Sequence, residues 1–154
     1  MPTGSVLRAA VTADIPRILA LELSAFESDR LSARSFKRLL SLGNCACLTA
    51  IRGDALAGYA LTLFRSSAAI ARLHSLAVDP TLRGQGIGRA LLEQTEADAL
   101  RRNARALRLA VRADNQAAIA LYKSGGFQEL RAESAYYADG MSARIMEKLL
   151  GEAG

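Results

Sequence analysis

Val78-Asp79-Pro80-Thr81-Leu82-Arg83-Gly84-Gln85-Gly86-Ile87-Gly88-Arg89-Ala90-Leu91-Leu92 runs from an apolar strand through an Arg/Gly loop into an amphipathic helix. Glycines at 84, 86 and 88 let the backbone approach a ligand closely. The first amides of the helix have no intrahelical acceptor and point at whatever sits there. Such a turn is an anion cradle, and a pyrophosphate fits it.

Two familiar phosphate loops do not match. A dinucleotide fingerprint needs a third glycine where Arg89 stands, and it follows the first strand of a βαβ unit. A Walker loop ends in Gly-Lys-Ser/Thr, and no lysine is near. A glycine-rich turn with a solvated Arg83 is the plainer alternative.

Outward from the loop, residues 5 to 11 read as a strand, and Thr12-Ala13-Asp14-Ile15-Pro16 as a helix start with Thr12 as the capping hydroxyl. Ile15, Ile18, Leu19, Leu23 and Phe26 then recur at helical spacing. A second helix is predicted over 32 to 42, ending at Gly43. Three strands follow at 45 to 52, 55 to 65 and 68 to 78, with Arg52-Gly53-Asp54 as a turn, forming an antiparallel meander. After the helix at 86 to 102 come a strand at 106 to 112, a helix at 115 to 124 closed by Gly125-Gly126, and strands at 128 to 137 and 142 to 149. The order β-α-α-β-β-β-α-β-α-β-β predicts an α/β (α+β) fold with a mixed sheet of about seven strands and helices on both faces. The whole span 1 to 154 reads as one domain.

Composition narrows the function classes. Seventeen Arg and three Lys against 15 acids give a formal charge of +5, and 51% of residues are hydrophobic. Arginine suits phosphate contacts, but these arginines are scattered, with no basic run, aromatic platform or zinc pattern, so nucleic acid is not the expected partner. Cys45 and Cys47 are too close for a mutual disulfide and wrongly spaced for a metal knuckle; they read as buried free thiols. No leader segment or membrane-length apolar run is seen, and a cytoplasmic protein without membrane association is expected. Oligomeric state is not legible.

Arg83-Gly84-Gln85-Gly86-Ile87-Gly88 resembles the R/Q-x-x-G-x-G/A signature of the GCN5-related N-acetyltransferases (GNAT). Asn115-Gln116-Ala117-Ala118-Ile119-Ala120-Leu121-Tyr122-Lys123-Ser124-Gly125-Gly126-Phe127 resembles that family's N-x-x-A-x-x-L-Y-x-x-x-G-F segment. The element order is also similar, so the resemblance covers nearly the whole chain. Within the family, Ala77-Val78-Asp79-Pro80, Val111-Arg112-Ala113-Asp114-Asn115 and Tyr136-Tyr137-Ala138-Asp139-Gly140 are most similar to ribosomal-protein-alanine and other protein amino-terminal acetylases.

The resemblance implies acetyl-CoA as co-substrate, acetyl transfer to an amine by direct attack in a ternary complex, and no metal. Leu76, Ala77 and Val78 would pair with the pantetheine arm, the Val78 amide facing the thioester oxygen. Arg83, Gly84, Gln85, Gly86, Ile87, Gly88 and Arg89 would hold the pyrophosphate. Asn115 would bond the cofactor arm, and Tyr122 would protonate the leaving thiolate. A helix cap for Asn115 and core packing for Tyr122 are the alternatives.

The general base departs from the family pattern. Relatives often carry glutamate at positions occupied here by Arg72 and Ala110, and neither accepts a proton. His74, two residues from Arg72 and so expected on the same strand face, is one candidate; packing is the other reading of it. Glu27 is a second candidate, also assigned to the acceptor side with Tyr136 and Tyr137, for which strand packing competes. At pH 7, deprotonating a lysine costs about 4.6 kcal/mol and an α-amine about 1 to 1.4 kcal/mol. A weak base therefore suits an α-amino group of a protein or peptide. Two further readings stay open: a small-amine acetyltransferase with an acidic entrance built from Glu27, Asp29, Glu133 and Asp139, and a non-catalytic acyl-CoA-binding module.

Overall fold

The computed structural model describes residues 5 to 25, 32 to 64 and 69 to 151. The elements, in order, are β1 (Val6–Ala9), α1 (Ile15–Ala25), α2 (Ala33–Ser41), β2 (Cys45–Arg52), β3 (Ala55–Leu63), β4 (Ile70–Val78), α3 (Ile87–Arg101), β5 (Ala106–Arg112), α4 (Gln116–Ser124), β6 (Gln128–Glu133) and β7 (Ala143–Leu149). The strands form one sheet in the order β1-β2-β3-β4-β5-β7-β6. Among the described strands only β4 and β5 run parallel; every other pair is antiparallel.

Two cores sandwich this sheet. Ile87, Leu91 and Leu92 of α3 and Ile119 of α4 pack with Ala71, Leu73, Leu107, Leu109 and Met146 on one face. Ile15, Ile18 and Leu21 of α1 and Phe36 of α2 pack with Cys47, Tyr59, Leu61 and Ala77 on the other. Each fully buried Leu or Ile contributes about 1.5 to 3 kcal/mol. Cys45 and Cys47 are buried free thiols; burial pushes the Cys47 thiol up to about 12, which keeps it protonated and unreactive.

Local expectations are corrected at three points. The chain enters α1 through a 3₁₀ turn at Thr12–Asp14, and it is the Asp14 carboxylate, not the Thr12 hydroxyl, that accepts the Val11 N–H (2.8 Å). Within α1, Leu23 is 63% exposed while Leu21 and Glu22 are buried, so the inward stripe is rotated by about a residue. The strand expected over 128 to 137 stops at Glu133, because Ala135 takes a left-handed φ of 51° that no strand continues through.

Of the three register shifts among the described strands, the one between β3 and β4 shapes the cleft. Leu61 pairs with Ser75 and Thr62 with Leu73, so His74 is the extra residue of a β-bulge. Ala71 and Leu73 belong to the α3/α4 core, yet beyond the bulge Ala77 belongs to the α1/α2 core, and Leu76 and Val78 pack on the α3/α4 side. A bulge bends its strand. The parallel pairing of β4 with β5 ends at that point: it runs from Ile70↔Ala106 to Leu73↔Leu109 and no further. The two strands diverge from there.

Candidate active site

The divergence of β4 and β5 opens a cleft of about 430 Å³, walled by residues 72 to 76 of β4 and 109 to 112 of β5. Strand backbone groups alternate in direction. Asp79 N–H donates to the Ala57 carbonyl of β3 (2.8 Å). The amides of Val78 and Leu76 therefore turn away from β3, into the gap left by β5. Ala77 is not brought there; its backbone faces β3 and its side chain is core.

At the outer end of the gap lies the glycine loop. Gly84 and Gly86 both adopt φ of 82°, a left-handed conformation that costs an L-residue about 1 to 2 kcal/mol. Gly86 is the N-cap of α3, and the first helical bond is Ala90 N–H to Gly86 C=O (3.0 Å). The amides of Ile87, Gly88 and Arg89 precede that bond and are open to an anion. Ile87 can contribute only its amide, since its side chain is 1% exposed in the core. A Cβ on Gly88 would stand 3.3 Å from Leu121, 3.6 Å from Val78 and 3.9 Å from Leu76, so the lack of a side chain seats α3 directly against the cleft wall. Arg83 lines the cleft. Gln85 accepts from Arg52, and Arg89 donates to Ser124 Oγ (2.6 Å), which ties the loop to β2 and to α4.

The start of α4 supplies the next wall. Asn115 Oδ1 accepts Ala118 N–H (3.1 Å) as the helix cap, and the residue also lines the cleft, with its Nδ2 amide as the group available to a ligand. Tyr122 lines the same cleft, is 6% exposed and packs against Phe127 (centroids 5.7 Å apart). Burial drives its phenol above the usual tyrosine range, which keeps it protonated at neutral pH and makes it a weaker acid than a free tyrosine.

Tyr136 and Tyr137 sit in the loop after β6, edge to face at 4.9 Å, and both line the cleft rather than packing in a strand. Arg72 Nη2 donates to the Tyr136 hydroxyl (2.8 Å). Arg112 lies at 5.3 Å from the Tyr137 ring and pairs with Asp114 (3.2 Å) and Asp139 (2.8 Å). Glu133 pairs with Arg131 (2.9 Å). Two members of the expected acidic entrance are thus committed to arginines; Glu27 and Asp29 lie outside the described residues. No group of three or more potential metal ligands occurs among the described residues.

His74 and Arg72 both line the cleft, although the bulge, and not simple alternation, sets their relationship. Desolvation, then the Arg72 charge, holds the His74 pKa below its ordinary value, while Glu22 opposes them. The imidazole is neutral at pH 7 and can accept a proton. Glu22 and Ser75 are cleft residues that the sequence reading missed. An available signal was a glutamate seven residues after Ile15, on the helical spacing of the apolar stripe.

Comparison with known proteins agrees with this geometry. The family model described as "Acetyltransferase (GNAT) family" matches residues 14–127. The chain is 35% identical over 148 residues to the N-alpha-acetyltransferase RimI of Mycobacterium tuberculosis, covering 94% of this chain and 92% of that protein. It is 49% identical over 67 residues to the ribosomal protein bS18-alanine N-acetyltransferase of Escherichia coli, covering 44% of this chain and 45% of that protein. A match at 35% identity to an uncharacterized Mycobacterium leprae protein covers 93% of this chain but 40% of that one, so the chain spans less than half the length of this longer relative. The crystal structure of the Escherichia coli ribosomal-protein-S18-alanine N-acetyltransferase superposes with TM-score 0.85 at 33% identity, covering 97% of this chain and 96% of that one.

Proposed function

The chain belongs to the GNAT family of acetyltransferases, and from that premise we propose that it transfers an acetyl group from acetyl-CoA to the α-amino group of a protein or peptide. One observation carries the reading. The parting of β4 from β5 after Leu73↔Leu109 opens one cleft that Leu76, Asn115 and Tyr122 line together with Arg83 of the glycine loop.

The cradle fits the donor: left-handed Gly84 and Gly86 and the free first amides of α3 match a pyrophosphate held by backbone N–H groups with Arg83 adding charge. Acetyl-CoA, when bound, supplies a thioester acetyl group and a thiolate leaving group. The Leu76 N–H would pair with its arm, and the Val78 amide would face the carbonyl oxygen as negative charge develops there. Tyr122 delivers a proton to the sulfur side. His74 takes the proton from the amine. Tyr136 and Tyr137 border the acceptor end.

The acceptor follows from acidity and charge. A neutral imidazole is a modest base, adequate for an α-amine near pKa 7.7 to 8.0 and poorly matched to lysine near 10.4. The cleft also presents Arg72 beside Tyr136, a charge at the acceptor end that disfavours polycationic small amines. The two bacterial relatives named as acetyltransferases, which carry alanine or N-alpha specificity in their names, support the same acceptor.

The test is mass spectrometry of peptides incubated with the protein and acetyl-CoA, scored for α-amine against lysine modification. Acetylation at the amino terminus is the expected result. Predominant lysine labelling would overturn the acceptor, and tight acetyl-CoA binding without acetylation of any amine would overturn the enzymatic reading.

A further inference from the structure

Arg72 and Tyr136 stand together at the acceptor end of the cleft as a pair of donors. Arg72 Nη2 lies 2.8 Å from the Tyr136 hydroxyl, and both residues line the cleft. A guanidinium carries only donors, so the tyrosine oxygen must be the acceptor of this bond. The hydroxyl hydrogen is then directed elsewhere. Among the described residues Tyr136 has no second hydrogen-bond partner, and the remaining N–H groups of Arg72 have none either.

The pair also lacks a carboxylate. Glu22 and Asp114 are the carboxylates that line the same cleft, and each is engaged elsewhere: Glu22 accepts the Tyr59 hydroxyl, and Asp114 pairs with Arg112 (3.2 Å). The arginines nearby on β5 are neutralised. Arg112 has Asp139 as well (2.8 Å), and Arg108, directly opposite Arg72 in the strand register, has Glu147 (2.6 Å). Arg83 belongs to the glycine loop at the donor end. Arg72 is thus the cleft arginine at the acceptor end that has no acid beside it among the described residues.

A carboxylate has two oxygens, and it can take an N–H on one and an O–H on the other. A neutral amide brings one oxygen and no charge, and an ammonium is repelled. We infer that Arg72 and Tyr136 form a carboxylate subsite, which makes the enzyme prefer protein amino termini that carry Asp or Glu as the first or second residue. This deepens the proposed amino-terminal acetylation and rests on it, with the reacting amine at His74. Arg72 stands two positions before His74 on β4, a span of about 6.5 Å in a strand. An extended acceptor advances about 3.3 Å per residue, so a side-chain carboxylate on either of its first two residues reaches the pair while the amine stays at the imidazole. Arg72 is exposed, so the subsite sets a preference rather than an absolute requirement.

Competition among peptides that differ at one residue, read by mass spectrometry of the acetylated amino termini, gives the ratio of their kcat/KM values. The panel compares Ala-Glu, Ala-Gln and Ala-Lys at the start of one peptide, and Glu with Gln as its first residue. Wild-type protein should favour the acidic peptide over the neutral one roughly 3- to 10-fold at one position or both, with Ala-Lys below Ala-Gln. Added NaCl should shrink that preference, since the charges are exposed. Arg72→Gln should bring the Glu-to-Gln ratio to about 1, and Arg72→Glu should invert it in favour of lysine. Any general loss from breaking the bond to Tyr136 falls on all the peptides alike and leaves the ratio untouched. Should the charge-reversed variant fold poorly, Arg72→Gln alone decides. Equal use of acidic and neutral peptides by the wild type, or a preference that survives Arg72→Gln, would overturn the subsite while leaving amino-terminal acetylation in place. Predominant lysine labelling across the panel would remove that reading, and the subsite with it.

Discussion

Arg72 reaches across the cleft mouth to the Tyr136 hydroxyl, 64 residues away in sequence, over 2.8 Å. That bond joins β4 to the loop following β6, two elements with no backbone pairing to each other. It holds Tyr136 at the end of the cleft where the proposed acceptor enters, on a loop that the left-handed Ala135 has turned out of the sheet.

Tyr136→Phe should therefore raise KM for a peptide acceptor about 3- to 10-fold, the scale of a part-exposed bond to a charged group. Turnover at saturation and acetyl-CoA affinity should change little. Steady-state kinetics with the peptide as varied substrate makes the comparison, and a fall confined to kcat would assign Tyr136 a different part.

Tyr122→Phe keeps the ring that packs on Phe127 and removes the proton. The protein should stay folded and bind acetyl-CoA normally, while kcat drops about 10²- to 10³-fold. Calorimetric titration alongside turnover distinguishes this from a packing role, in which the variant would remain active.

Gly86→Ala places a Cβ at φ of 82° and should destabilise the protein by about 1 kcal/mol. Any shift the loop makes to relieve that strain also moves the amides of Ile87 to Arg89. Urea unfolding should show the first effect and a raised acetyl-CoA Kd the second; unchanged affinity would separate the loop from the donor.

Asp14 is 1% exposed and is gripped by Arg8 at 2.7 and 2.9 Å and by the Val11 amide at 2.8 Å. The Arg8 bonds, chiefly, hold its carboxyl below the usual range. Its contribution to stability is thus complete above about pH 3.9, the ordinary aspartate value, and is lost as the pH falls through its lower folded value. Asp14→Ala should cost about 2 kcal/mol at pH 7, leaving the Val11 amide without its acceptor. The difference from wild type in urea midpoint should shrink at acid pH; a constant difference would deny the linkage.

Much of this protein was legible in one dimension because local patterns are read locally. Helix 33 to 41 appeared within a residue of its expected bounds, since Ser32 Oγ caps Ser35 N–H (3.1 Å) and Gly43 takes φ of 74°. The Arg/Gly loop and the Asn115 to Phe127 segment announced themselves by spacing. Glu22 did not: a lone glutamate in a helix reads as solvated until Tyr59 from a strand 37 residues away donates to it. Arg112 was missed for a similar reason, since Asp139, one of its two carboxylate partners, belongs to a distant loop.

By itself the sequence determined the order of elements, the alternation that makes the sheet two-sided, and the glycines that shape a phosphate-binding turn. Each depends on residues within a few positions of one another. Only the tertiary structure decided where β4 leaves β5, that His74 stands at the bulge where they part, and that a carboxylate from α1 borders the same cleft. Those follow from strand register and from contacts between distant segments, and a register is a property of two strands together, which neither carries alone.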